Sequence, residues 1–237
     1  MNLLAFDTST DQMSMAVQRA AHSTRPLQVW ALAAPGGAQT SAHLIPAIQG
    51  LMAQAELSFD QLDAIVFGHG PGSFTGLRTA CAVAQGLAYG ARVPVLPVDT
   101  LLAVAEEARL QHAPEQENYS VVALLDARMD EMYAGRYVFN NGAWTQTQGH
   151  ILLSPDQLVC EPEDAVAGNV LAPYGARLNI PLARYVTALP TATALLRLAP
   201  QLLFSGGAIA ADQALPLYVR DKVAKTTAER AAEKAAL

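Results

Sequence analysis

Two stretches of this chain carry residue types that could do chemistry. Near the N-terminus, Asp7-Thr8-Ser9-Thr10 follows the apolar run Leu3 to Phe6. A carboxylate and hydroxyls at a strand end can hold magnesium or a phosphate. The same residues also bond their own backbone in ordinary turns. The second stretch, GHGPGSFTGLR at 68–78, lies between the apolar run Ala64 to Phe67 and a long small-residue helix. An apolar strand, a glycine turn and a helix together bring backbone N–H groups up to an anion. Candidate contacts for a nucleotide or phosphate are therefore Asp7, Thr8, Ser9, Gly70, Gly72, Ser73 and Arg78.

Three familiar catalytic patterns fail at the second stretch. It is not a Walker loop, because Gly76 is followed by Leu77 and Arg78 rather than by lysine. It is not a nucleophile elbow, because Pro71 stands two residues before Ser73 where that turn needs glycine. Asp99 lies beyond the helix as a ribose-binding acid would, but the glycines do not fit G-x-G-x-x-G.

Both stretches need strands and helices to hold them. Met13, Met15 and Val17 alternate with Gln12, Ser14 and Gln18, the two-residue period of a half-buried strand, and Leu27, Val29 and Ala31 do the same. Leu44, Ile48, Leu51 and Ala55, with Ile45 and Met52, make a helical stripe after the caps Thr40 or Ser41, with Pro46 near its first turn. His43 has no second ligand at helical spacing. In the helix after the glycine turn, Arg78, Gln85 and Arg92 recur every seven residues as one thin polar line. A helix apolar nearly all round is either buried in its own domain or completed by a partner. Gly76, Ala80, Ala84 and Gly86 are small enough to let another helix approach.

In the second half, Pro94 to Val98 reads as a strand, and Asp99 or Thr100 caps a helix carrying Leu101, Leu102, Ala105 and Ala108. The polar segment HAPEQENY, 112–119, marks a boundary between lobes at 1–111 and 119–220. Beyond it the chain echoes itself: VALLDARMDEMYAGRY at 122–137 lays over LLAFDTSTDQMSMAVQ at 3–18, each with an aspartate (Asp7, Asp126) ending an apolar strand. Such duplication implies two similar lobes facing across a cleft. Ser154-Pro155-Asp156 is a helix start, and Leu195, Leu196, Leu198, Leu202 and Leu203 form a helical stripe ended by Gly206. Residues 221–237 read as a flexible tail.

Composition narrows the function. Among 237 residues, 51% are hydrophobic and 15% charged, with a net charge of −6 and no basic stripe, which disfavours autonomous binding of a polyanion. No run approaches the roughly 20 apolar residues of a membrane span. The N-terminus has no basic flank and reaches Asp7 at once, unlike a signal peptide. Cys81 and Cys160 have neither CxxC spacing nor a nearby ligand set. A cytoplasmic protein rich in apolar surface points towards protein contacts.

GHGPGSFTGLR at 68–78, DTST at 7–10, DARMDEMY at 126–133 and PLYVR at 216–220 resemble the TsaB (YeaZ) family nearly end to end. The resemblance implies an α/β fold of the actin, sugar-kinase and heat-shock chaperone (ASKHA) class, with two lobes of duplicated βββαβα units. It implies a non-catalytic partner of TsaD, which with ATP and threonylcarbamoyl-adenylate modifies the adenosine beside the anticodon of certain tRNAs. TsaE, an ATPase, joins the same assembly, and tRNA is reached only through it. The catalytic relative's HxxxH metal pair falls here on Thr100 and Val104, neither of which can replace an imidazole ligand, so no metal and no catalytic residue is expected. The family's contact with TsaD maps to the helices at about 41–56 and 75–91, with Leu44, Ile48, Leu51, Met52, Gly76, Thr79, Ala80, Val83, Ala84 and Leu87 as interface residues. A homodimer is expected when the partner is absent. No cofactor is expected to bind tightly, with ATP or ADP at the interface of the complex. One other class stays open on the residues, an ATP-dependent phosphotransferase of the same fold, built on Asp7, the hydroxyl turn and Asp126; a metalloprotease reading fails for lack of ligands at Thr100 and Val104.

Overall fold

Strand β1 (Leu3–Asp7) is buried at every position because both of its faces are covered, which is why it is apolar up to its final aspartate. The structure, a computed structural model, describes residues 1–22 and 25–220. The segment 221–237, expected above as a tail, lies outside the described residues. β1 pairs antiparallel with β2 (Gln12–Arg19), and β2 with β3 (Gln28–Pro35). β4 (Ala64–Gly70) and β5 (Val95–Asp99) then add in parallel on the other side of β1, giving the order β3-β2-β1-β4-β5.

The second sheet repeats this plan. β6 (Asn118–Arg128), β7 (Glu131–Asn140) and β8 (Ala143–Leu153) form the meander. β9 (Ala165–Gly168) and β10 (Tyr185–Thr187) add in parallel, so the order β8-β7-β6-β9-β10 matches the first sheet strand for strand. The internal echo between 3–18 and 122–137 is thus a true duplication of topology.

The helices are not duplicated equally. α1 (Thr40–Gln54) and α2 (Phe74–Ala91) cover the outer face of the first sheet, packing on Leu4, Phe6, Met15, Ile65 and Phe67. Neither expected cap holds α1: Thr40 is already helical, and Gln39 precedes it without a side-chain cap. In the second lobe the helix expected after Ser154 is one turn, Pro155–Gln157, and the counterpart of α2 is the four-residue α4 (Leu171–Tyr174). The second lobe therefore departs from a full βββαβα unit on its outer face.

Two long helices lie between the sheets and trade places. α3 (Thr100–His112), capped by Asp99 Oδ1 accepting from the Leu101 amide at 2.9 Å, packs Leu101, Val104, Ala105 and Ala108 against Val121, Ala123 and Tyr137 of the second sheet. α5 (Ala192–Phe204), capped by Thr191, packs Ala192, Leu195, Leu196 and Ala199 against Leu3, Ala5, Val66 and Val98 of the first. The helix that follows the first sheet in the chain thus packs on the second, and the helix that follows the second sheet packs on the first. After α5 the chain crosses back over α2, with Ile209 pairing to Val95, and ends the described region at Arg220 beside the β6–β7 hairpin.

Candidate functional site

The DTST turn and the glycine loop form one packed unit. Asp7 Oδ1 accepts from the Ser9 amide at 2.8 Å and the Ser9 hydroxyl at 2.6 Å, while Oδ2 is buried without a partner. Burial outweighs those bonds and pushes the Asp7 pKa up to about 6. Thr8 Oγ1 donates to the Gly76 carbonyl at 2.7 Å, and the Ser73 amide donates to the Ser9 carbonyl at 2.7 Å.

This packing explains the glycines. A Cβ at Gly68 would overlap the Asp7 carboxylate, one at Gly72 would strike Ser9, and one at Gly76 would overlap the Thr8 carbonyl oxygen. Gly70, at φ +127°, faces the Leu217 carbonyl, and its own amide donates to Thr100 Oγ1 at 3.1 Å. Backbone and side chains of the protein itself thus pack closely against Gly68, Gly70, Gly72 and Gly76 where a Cβ would stand. Arg78 is engaged as well, stacking on Phe74 at 3.8 Å and donating from Nε to the Tyr218 hydroxyl at 2.8 Å.

A cavity of about 280 Å³ remains between the hairpin tips of the two lobes. Ser9, Thr10, Gly72 and Ser73 line it from one side, Asp126, Arg128, Met129 and Asn169 from the other, and Leu217 to Arg220 close it. Of the seven candidate anion contacts, the fold brings Ser9, Gly72 and Ser73 to this cleft; Asp7, Thr8, Gly70 and Arg78 do not line it. Asp126 repeats the turn chemistry of Asp7, its Oδ1 accepting from the Arg128 amide and the Tyr174 hydroxyl, each at 2.8 Å. The cations at the cleft are paired: Arg128 with Asp11 and Asp126, and Arg220 with Glu131. Among the described residues, the cleft offers hydroxyls, apolar walls and the carboxylates of Asp11 and Asp126, both ion-paired with Arg128.

The expected partner face needs correction. Leu44, Ile48, Leu51, Met52, Gly76, Ala80 and Ala84 are buried in the chain's own first core, and Thr79, Val83 and Leu87 are only half-buried margins. The three-to-four-residue spacing marks the side of each helix that meets the sheet. The outward side carries Ala42, Ile45, Gln49 and Ala53 on α1 and Thr75, Ala82, Gly86 and Tyr89 on the adjacent α2. Nothing stands within 4 Å of a Cβ built at Gly50, Gly86 or Gly90, so this surface is open as well as small and nearly uncharged.

A polar cluster between the lobes had no sequence signal. Asp99 Oδ2 accepts from the Tyr137 hydroxyl at 2.5 Å and lies 2.9 Å from His150 Nε2. His69 sits near both, its pKa lowered chiefly by burial. These residues stand on β5, β7, β8 and β4, so only pairing of the sheets brings them together. Thr100 and Val104 are fully buried, Thr100 bonded to Gly70 and Val104 packed in the second lobe's core. Among the described residues, no three His, Cys, Asp or Glu side chains converge as a metal-holding group, and no helix is long and apolar enough to cross a membrane.

Two lobes with the same meander-plus-parallel sheet, clasped around exchanged helices and a cleft, define the ASKHA-like α/β class. Residues 35–237 match the family model "TsaD: tRNA N6-adenosine threonylcarbamoyltransferase". The chain is 33% identical to the tRNA threonylcarbamoyladenosine biosynthesis protein TsaB of Haemophilus influenzae, covering 94% of this chain and 95% of that protein. The chain belongs to this family, in its TsaB (YeaZ) branch. The Escherichia coli TsaB is 29% identical over 94% of this chain and 96% of its own. Among solved structures, YeaZ from Pseudomonas aeruginosa superposes with a TM-score of 0.76 at 34% identity, covering 92% of this chain and 99% of that one.

Proposed function

We propose that this chain is the non-catalytic, activating subunit of the assembly that adds a threonylcarbamoyl group to N6 of the adenosine beside the anticodon in tRNA. It acts by pairing with TsaD through the outward side of α1 and α2. Membership of the TsaB branch carries the pathway. The buried state of Thr100 and Val104, the positions of the catalytic relative's metal pair, supports the non-catalytic role: their side chains are spent on packing and on the Gly70 amide. The phosphotransferase alternative has less behind it, because the carboxylate of Asp7, which would have to meet magnesium or phosphate, is buried beneath Gly68 and does not line the cleft. The same proposal takes TsaE as a further partner, tRNA as a substrate met only in the complex, ATP or ADP at the complex interface, a homodimer when TsaD is absent, and a cytoplasmic location.

Its test is Ala82→Arg on the exposed side of α2, set beside Ala80→Arg on the buried side. The first variant keeps its circular dichroism and melting transition but no longer co-elutes with TsaD. The second fails to fold, because it forces an unpaired charge into the core. Co-elution of the Ala82→Arg chain with TsaD overturns the assigned face. Transfer of the threonylcarbamoyl group to tRNA by the isolated chain overturns the non-catalytic role.

A further inference from the structure

Two residues of the thin polar line of α2, Arg78 and Gln85, have partners within the chain. Gln85 Nε2 and Cys81 Sγ both donate to the Ala214 carbonyl, at 2.9 and 3.3 Å, and Arg78 donates to the Tyr218 hydroxyl. The segment that receives them, 214–220, has no regular secondary structure. It next donates the Leu217 amide to the His69 carbonyl at 2.6 Å, and Tyr218 stacks on Phe74 with ring centroids 5.3 Å apart. Up to this point it is bound to the first lobe.

Two residues on, it is bound to the second. Val219 packs with the second-lobe core, and Arg220 Nη2 donates to the Ala127 carbonyl at 3.0 Å and pairs with Glu131 at 2.7 Å. Arg220 thereby holds the tip of the β6–β7 hairpin, where Arg128, Met129 and Asp130 are three successive non-glycine residues at positive φ. Such a tip persists only where its surroundings over-determine it. The other ion pair that crosses the cleft mouth, Arg128 with Asp11, is largely exposed and contributes little. Leu217 to Arg220 also form one wall of the cleft cavity.

We propose that residues 214–220 are a built-in strap that holds the two lobes closed across the cleft, with Arg220 as its latch. Lobe closure in this chain then needs no ligand, and release of the latch peels the strap from the cleft while the sheets stay intact.

The test is hydrogen exchange on the full chain, comparing the parent with Arg220→Ala, Arg220→Lys and Glu131→Gln. In Arg220→Ala the amides of Leu217 and Arg128 exchange at least about tenfold faster, while those of β1 and β4 keep their protection, as local opening requires. Arg220→Lys and Glu131→Gln, which keep part of the anchoring, give smaller increases at the same two amides. Unchanged exchange at Leu217 in all three variants overturns the latch. Equal acceleration across β1 and β4 overturns the strap, because the segment would then be ordinary support for the core. Should the alanine variant fail to fold, the two milder variants decide between these outcomes on the same amides.

Discussion

Replacing Asp7 with asparagine removes a buried charge and should stabilise the protein at neutral pH. Asp7 is 1% exposed, and its Oδ2 lies under Gly68 without a hydrogen-bond partner. Burial raises its pKa from the ordinary 3.8 to about 6. The folded protein therefore binds this proton more tightly than the unfolded chain does. Between these two values it holds more protons than the unfolded chain, so stability falls as pH rises through that window and is level above it. At about 1.36 kcal/mol per tenfold in proton affinity, the charged form costs the folded state about 3 kcal/mol above pH 6. Asparagine keeps an oxygen for the Ser9 amide and hydroxyl and carries no charge. Urea denaturation of both chains across the acid-to-neutral range measures the difference. The parent should lose about 3 kcal/mol as pH rises through the window while the variant stays level, so the difference between the curves shifts by that amount in the variant's favour. A parent chain whose stability does not change through the window would refute the reasoning, as would a variant that keeps the parent's slope.

Other outcomes follow from the same geometry. Gly76→Ala drives a methyl into the Thr8 carbonyl, with backbone on both sides, and should lose about 3 kcal/mol or more in a thermal or urea melt. Gly86→Ala meets open space inside a helix and should gain about 0.5–1 kcal/mol by the same measurement on the isolated chain. Glu106→Gln leaves Arg109 and Arg197 without the buried carboxylate that accepts from both and from Trp144 Nε1, joining α3, α5 and β8. That change should cost about 3 kcal/mol in urea denaturation, with loss of near-ultraviolet dichroism from Trp144.

Much of this protein is legible in its residues alone. Alternation at Met13, Met15 and Val17 marks a strand of a meander, and the laying of 122–137 over 3–18 anticipates a second sheet with the same strand order. Those signals are local: a period of two, a period of 3.6, and an aspartate at a strand end each report on a few neighbouring residues. The TsaB branch is written in GPGSFTGLR because that loop must pass close to the DTST turn. What fills the glycines was not legible. The Asp7 carboxylate, the Thr8 and Leu217 carbonyls and Ser9 reach them from positions up to 147 residues away, so these glycines answer to close packing of distant segments. Nor does periodicity tell which way a stripe faces. Leu44, Ile48, Ala80 and Ala84 meet the sheet, and only burial shows that the open face of α1 and α2 is the opposite one. The exchange of α3 and α5, the cluster of Asp99, Tyr137 and His150, and the return of 214–220 across the cleft belong to the tertiary structure as well. Each depends on which elements become neighbours, and that is settled by the joint burial of both sheets' inner faces rather than by any stretch of chain.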